Sequence, residues 1–174
     1  MGVRNSHCSF CGAAFPAGAA WPRRCGACGE TSYLNPLPVA VALLPTGSGL
    51  LAVRRAVPPG VGLLALPGGY IDLGESWQQA VVRELREETG IRADAADVAL
   101  HDVRSAPDGT VLIFGLLPRR EHLPEPVASA ETTGWEVIDG PGGMAFELHA
   151  AVVAGYFARK SRVTAASSGE TAMV

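Results

Sequence analysis

Hydrophobic positions along this chain follow two periods, and the switches between them mark its elements. Residues 39–45 read VAVALLP, an apolar run closed by proline that suits a strand buried on both faces. The turn TGSG leads into LLAVRR (50–55), and the two runs are expected to pair as a hairpin. AVPPGVG (56–62) is loop, punctuated by Pro and Gly. LLALPGGYIDLGES (63–76) opens as a strand and ends in a Gly-rich turn. Ser76 with Gln79 three residues on forms a capping-box signature, so a helix is expected through Thr89, with Gly90 as its stop.

Two strands follow, VALHDVRSA and GTVLIFGLLP, around the turn PDG. RREHLPEPVASAETT is polar loop, and GWEVID is a last short strand. From Ala145 to Arg159, helical spacing places Leu148, Val152, Gly155 and Tyr156 on one face. Strands alternating irregularly with two helices predict a mixed α/β fold.

All four cysteines lie in the first 30 residues, and NPLP (35–38) reads as a linker, so the pattern divides the chain three ways. Residues 1–35 form a cysteine-bearing module and 36–160 the main domain. Residues 161–174, small and polar, are expected to be disordered. The cysteines stand as CSFCG (Cys8, Cys11) and CGACG (Cys25, Cys28). Two such knuckles have the spacing of a structural zinc site, and the glycine after each lets the chain turn tightly toward the sulfurs. Reduced unligated thiols or two disulfides are the alternatives. A cytoplasmic chain disfavours the disulfides, and a module this small has too little core to fold without metal. His7 is a spare donor that four cysteines make unnecessary.

Charge and hydropathy narrow the partners. The net charge of −3 gives no overall pull toward nucleic acid or an anionic membrane. No uninterrupted apolar run reaches membrane-spanning length, and the start of the chain lacks the apolar segment of a secretory signal, so a soluble cytoplasmic protein is expected.

One stretch departs from this mild pattern. RELREETGI (83–91) crowds Glu84, Glu87 and Glu88 onto one side of the expected helix, at i, i+3 and i+4. Like charges at that spacing repel by a few tenths of a kcal/mol per pair. A divalent cation would reverse the sign, and carboxylates are the ligands Mg²⁺ and Mn²⁺ prefer. A solvated helix face remains equally open on spacing alone, since Arg83 and Glu87 form an i,i+4 ion pair.

The longer string GYIDLGESWQQAVVRELREETGI (69–91) matches the Nudix box, G-x5-E-x7-R-E-U-x-E-E-x-G-U with U aliphatic, at Gly69, Glu75, Arg83, Glu84, Leu85, Glu87, Glu88, Gly90 and Ile91. The chain therefore resembles the Nudix hydrolases from about Pro38 to Arg159. The resemblance implies an α/β/α sandwich with a mixed sheet and Mg²⁺- or Mn²⁺-dependent hydrolysis of a nucleoside diphosphate derivative. By position it makes Glu84, Glu87, Glu88 and the Gly69 carbonyl metal ligands. Arg83 becomes the residue that orients them, and Glu75 a supporting carboxylate. Glu84 and Glu131 are candidate general bases, with Glu121 and Glu125 behind them. A homodimer is left open, since dimers are common in the family.

A zinc ribbon ahead of such a domain resembles two groups. The NADH pyrophosphatases carry S-Q-P-W-P-F-P-x-S after the box; the same region here, VRSAPDGTVLIF, keeps only Ser105 and Pro107. The shorter zinc-ribbon Nudix proteins, which include plant-type FAD and ADP-ribose pyrophosphatases, have a pattern close to LPGGYIDLGES, with Asp72 for the usual glutamate. FAD, ADP-ribose or a similar dinucleotide is thus the expected substrate, with NADH cleavage or NAD-cap removal as alternatives. Phe146, Tyr70 or Trp135 could stack on a base, and Arg54, Arg55 or Arg104 could clamp a phosphate. A ligand sensor or a zinc-ribbon binding module is the non-catalytic alternative; loss of box glutamates would favour the sensor, and none is missing.

Overall fold

The computed structural model describes residues 5–47 and 49–168, the last six by backbone alone. The chain divides into two compact units, Met1–Pro36 and Leu37–Val174. In the first, the strands β1 (Arg23–Arg24) and β2 (Thr31–Ser32) pair antiparallel. Its only fully buried side chains among the described residues are Cys8, Cys25 and Ser32.

The second unit is built on two sheets. One has the order β7 (Gly68–Tyr70), β3 (Leu37–Leu43), β9 (Thr110–Leu116), β8 (Ala99–Ser105), with β3 and β9 parallel and the outer pairs antiparallel. The other has the order β10 (Thr132–Ile138), β5 (Gly49–Arg55), β4 (Pro45–Thr46), with β6 (Leu64–Ala65) also on β5. α1 (Trp77–Thr89) and α2 (Glu147–Ser168) cover them.

The strand β3 explains the layering. Ala40, Ala42 and Leu44 join Leu51, Val53 and the α1 residues Ala80, Val81 and Leu85 in one core. Val41 and Leu43 turn the other way, to Leu50, Phe114 and the α2 residues Val152 and Val153. A strand covered on both faces cannot show polar alternation, hence its unbroken apolar run. Small residues bring α1 close: a Cβ on Gly115 would meet the Val81 and Val98 side chains at 2.9 and 2.7 Å.

Two expectations need correction. The hairpin of 39–45 with 50–55 exists only at its tip, where Pro45 faces Leu50 and Thr46 faces Gly49. The rest of the first run, in β3, joins the other sheet. Both runs are apolar on both faces, so pattern alone could not say which sheet each would enter. The second correction concerns the tail: α2 continues through Ser168, so 161–168 is helical. No proline or glycine interrupts 156–168, so nothing in the chain stops the helix once it has passed its core contacts. Residues 169–174 lie outside the described residues.

His149, in the first turns of α2, ties the two halves of the second core together. Its Nδ1 accepts the Leu66 N–H at 3.2 Å, and its ring packs on Phe114 and Phe146. Burial, helped by the Arg55 charge, pushes its pKa down to about 4. The unfolded chain therefore binds the proton first, near pH 6.5, and stability present above that pH is lost as pH falls toward 4. The loss is at most about 3 kcal/mol. Urea unfolding of the wild type and His149→Gln between pH 7.5 and 4.5 checks this. The glutamine keeps an acceptor for Leu66 without titrating, so the gap between the two should shift in the variant's favour as pH falls; a constant gap would overturn the assignment.

Candidate active site and metal centres

The acidic helix is placed by its ends. The Ser76 side chain accepts the Gln79 N–H at 3.2 Å, and the Gln79 side chain accepts the Ser76 N–H at 2.7 Å. Gly90, at φ 76°, closes the other end with its N–H on the Arg86 carbonyl. Between these caps Ala80, Val81 and Leu85 bury one face, and Glu84 and Glu88 are carried to its margin, 9% and 6% exposed.

The Gly68–Gly69 segment of β7 meets them there. The Gly68 N–H donates to Glu88 Oε2 at 3.3 Å. A Cβ on Gly69 would fall inside the Glu84 carboxylate, so glycine is needed for this approach. Arg83 is the hub. Its Nη1 donates to Glu84 at 2.7 Å and Glu87 at 3.2 Å, and its Nη2 to Glu75 at 2.7 Å and the Tyr70 carbonyl at 2.9 Å. The guanidinium hydrogen bonds hold the Glu75 carboxyl below its ordinary range.

Glu84 and Glu88 go the other way. Burial first, opposed by Arg83, leaves the Glu84 pKa raised. Burial and the Glu84 charge push Glu88 up to about 8. Two buried carboxylates set against the Gly68–Gly69 strand, with Arg83 hydrogen-bonded to one of them, are short of positive charge. A hard divalent cation with oxygen ligands answers that deficit, and in this respect the residues fit Mg²⁺ or Mn²⁺. Glu87 is not preset: half exposed, it leans on Arg83 and Arg86. Among the described residues, only the four cysteines place three or more ligand atoms within 4.8 Å of one another. A cation held by all three glutamates would require Glu87 to leave Arg83 and Arg86.

The remaining candidates separate. Glu131 stands at the entry to β10, exposed, close enough for its charge to raise both Glu84 and Glu88. The neighbouring Thr132 donates to the Glu88 carbonyl at 3.0 Å, which ties that loop to α1. Glu121 is paired with Arg119. Arg54 is spent on Glu136 and the Gly62 carbonyl, and Arg104 on Asp102. Arg104 also lies on β8, with β9 and β3 between it and the Gly69 strand, about 14 Å at ordinary strand spacing.

Of the three arginines weighed as phosphate clamps, Arg55 is the one at the carboxylates. Its guanidinium stacks 5.0 Å from the Phe146 ring centre, donates to the Pro59 and Val57 carbonyls, and acts electrostatically on Glu88. Neighbours on a strand face opposite ways, so only the fold could choose between Arg54 and Arg55. Tyr70 is exposed, with its carbonyl on Arg83. Phe146 is half buried between Arg55 and His149. Trp135 packs in the α1 core, with its indole N–H buried and unpartnered.

The cysteine quartet has its own geometry. Gly12 and Gly29, at φ 75° and 78°, close the two knuckles, their N–H groups on the Cys8 and Cys25 carbonyls. The Cys8–Cys28 and Cys11–Cys25 sulfurs are 3.7 and 3.6 Å apart. A tetrahedron with Zn–S bonds of about 2.3 Å has S···S edges of about 3.8 Å, whereas a disulfide needs about 2.05 Å. Backbone N–H groups of Cys11 and Phe10 lower the Cys8 pKa to about 6, which favours the thiolate a metal needs. The quartet fits a closed, structural zinc.

A model of the NUDIX domain matches residues 35–151. The chain belongs to the NUDIX domain family. An ADP-ribose pyrophosphatase of Methanocaldococcus jannaschii is 37% identical over 76 residues, 44% of each chain. An NAD-capped RNA hydrolase NudC of Escherichia coli is 33% identical over 90 residues, 51% of this chain and 34% of that one. The chain thus spans less than half the length of these curated relatives. A NUDIX hydrolase from Nitrosomonas europaea has the same fold, with a TM-score of 0.72 at 22% identity, covering 90% of this chain and 93% of that one. A bifunctional NMN adenylyltransferase/ADP ribose pyrophosphatase from Francisella tularensis, complexed with AMP and a manganese ion, is 28% identical at a TM-score of 0.54, over 62% of this chain and 35% of that one. Among the described residues no helix is long and apolar enough to cross a membrane.

Proposed function

We propose that this Nudix domain is a pyrophosphohydrolase that cleaves the phosphoanhydride of a nucleoside diphosphate derivative, with ADP-ribose and FAD as the leading substrates. The observation that carries it is the buried Glu84–Glu88 pair set against Gly68–Gly69 and braced by Arg83. Glu84, Glu87, Glu88 and the Gly69 carbonyl would hold Mg²⁺ or Mn²⁺. The cation, when bound, neutralises phosphate oxygens and acidifies the attacking water. Arg83 fixes Glu84 against Gly69, and Arg55, stacked on Phe146, offers its guanidinium to the phosphates. Glu131, exposed beside the pair, takes the proton from water. The zinc quartet is structural and takes no part in the reaction. The M. jannaschii and F. tularensis relatives, by the activities in their names, support ADP-ribose.

The test is a substrate panel of ADP-ribose, FAD, NADH, diadenosine polyphosphates and nucleoside triphosphates with Mg²⁺ or Mn²⁺. AMP release from at least one nucleoside diphosphate derivative is expected; no turnover across the panel would sink the proposal. Gly69→Ala probes the geometry. The added methyl displaces Glu84, and an ångström of misplacement costs about 10²-fold in kcat. Wild-type kcat in the alanine variant would show that the close approach is dispensable.

A further inference from the structure

The four cysteines differ in burial, and the difference is ordered. Each knuckle has one covered sulfur and one that faces solvent: Cys8 and Cys25 are buried, while Cys11 and Cys28 are exposed. Close sulfur contacts cross between the knuckles and join unlike members. Exposed Cys28 lies 3.7 Å from buried Cys8, and exposed Cys11 lies 3.6 Å from buried Cys25. Each pair thus offers a reagent one reachable sulfur, with a sheltered sulfur in contact with it. That arrangement suits an attacking and a resolving thiolate.

Little else has to move for these pairs to bond. Closing either one to a disulfide of about 2.05 Å brings its sulfurs together by about 1.6 Å. Backbone bonds already shape the knuckles: the Cys8 N–H donates to the Ala13 carbonyl and the Cys25 N–H to the Glu30 carbonyl, both at 2.8 Å. The buried Ser32 Oγ accepts the Ser9 N–H at 3.3 Å, which aligns the first knuckle with the strand after the second. Crossed bridges would span 20 and 14 positions of the chain and join the two knuckles, as zinc does. Bridges confined to Cys8–Cys11 and Cys25–Cys28 would leave the knuckles unconnected.

We propose that the quartet is a redox-exchange site: a hydroperoxide converts it from four zinc thiolates to the disulfides Cys8–Cys28 and Cys11–Cys25, with zinc released and the fold of the first unit kept. The exchange rests on the zinc assignment and is independent of the hydrolase reading. In each pair the exposed thiolate attacks a peroxide oxygen and the O–O bond breaks, leaving a sulfenic acid and a hydroxide. The buried thiolate then attacks that sulfur. The S–S bond forms, the S–O bond breaks and a second hydroxide leaves. One peroxide takes two electrons from two thiolates, and two peroxides consume the quartet. A disulfide sulfur carries no thiolate charge for the metal, so the zinc departs.

The full-length wild type suffices for the test, because these are all the cysteines of the chain. Four cysteines allow three pairings. Zinc-loaded protein is titrated with hydrogen peroxide and read by a chromogenic zinc indicator, by tandem mass spectrometry of unreduced peptides, and by limited proteolysis. About one zinc should be lost for every two disulfides formed, with the crossed pairing as the main product. Residues 5–36 should stay protease-resistant in the oxidised protein, and become sensitive when a chelator is added with a phosphine reductant. Reduction with added zinc should restore the starting form.

Either of the other pairings as main product, an oxidised first unit as sensitive as the chelated one, or thiols that pass to sulfinic acid without bridging would overturn the exchange. Those results leave the zinc assignment standing. Protein purified under reductant that carries no zinc overturns the exchange through its metal half instead, so the two failures are told apart.

Discussion

Glu88→Gln is expected to lower kcat about 10³-fold at saturating Mg²⁺, the several kcal/mol a metal supplies to developing phosphate charge. The glutamine keeps an acceptor for the Gly68 N–H, so β7 is undisturbed and only the charge is removed. The same substitution should stabilise the metal-free protein. Burial and the Glu84 charge lift the Glu88 pKa to about 8, far above its unfolded value. For a carboxyl group raised in the fold, stability is present below the unfolded pKa and lost as pH rises toward the folded one.

Metal-free wild type therefore weakens between about pH 4.5 and 8 relative to the variant, by about 1–3 kcal/mol at the upper end. Metal binding must also displace this proton, so Mg²⁺ affinity should rise with pH up to about 8. Steady-state kinetics, metal titration by calorimetry and thermal unfolding at several pH values measure all three. A Glu88→Gln enzyme within tenfold of wild-type kcat would remove Glu88 from the metal site.

Metal removal from the cysteines should unfold the first unit and leave the second intact. Among the described residues of the first unit only Cys8, Cys25 and Ser32 are fully buried, and its strands have two residues each. Among those described residues there is no buried apolar core to hold it, a role that falls to the proposed zinc–sulfur bonds. Structural zinc in such modules contributes about 10–16 kcal/mol at neutral pH. The purified protein should carry about one zinc per chain. A strong chelator, or Cys25→Ala, should expose residues 5–36 to protease while the second unit stays protected. Protein free of zinc as purified, or a first unit still protected after chelation, would refute the assignment.

Both expectations begin in local patterns that are legible in the chain itself. The knuckle spacing fixes which four sulfurs can meet, because each pair is joined by a short turn that glycine closes. The capping box, the glycine stop and the i, i+3, i+4 glutamates define α1 and its acidic side, because helical geometry is set by neighbours within four residues. Family membership follows from that same string.

What lay beyond the sequence was pairing at a distance. The apolar runs 39–45 and 50–55 looked like hairpin partners, yet β3 and β5 enter different sheets, because strands buried on both faces carry no mark of sidedness. Arg54 and Arg55 are adjacent, and only the direction of β5 sends Arg55 to the carboxylates and Arg54 to Glu136. His149 gave no signal in a short helical stretch; its role exists because α2 packs against Leu66. The sequence by itself determined the acidic residues and their helix; the tertiary structure decided which carboxylates are buried against the glycine strand and which arginines face them. The reason is physical: backbone geometry fixes separations within a few residues, while desolvation and charge depend on what distant segments bring alongside.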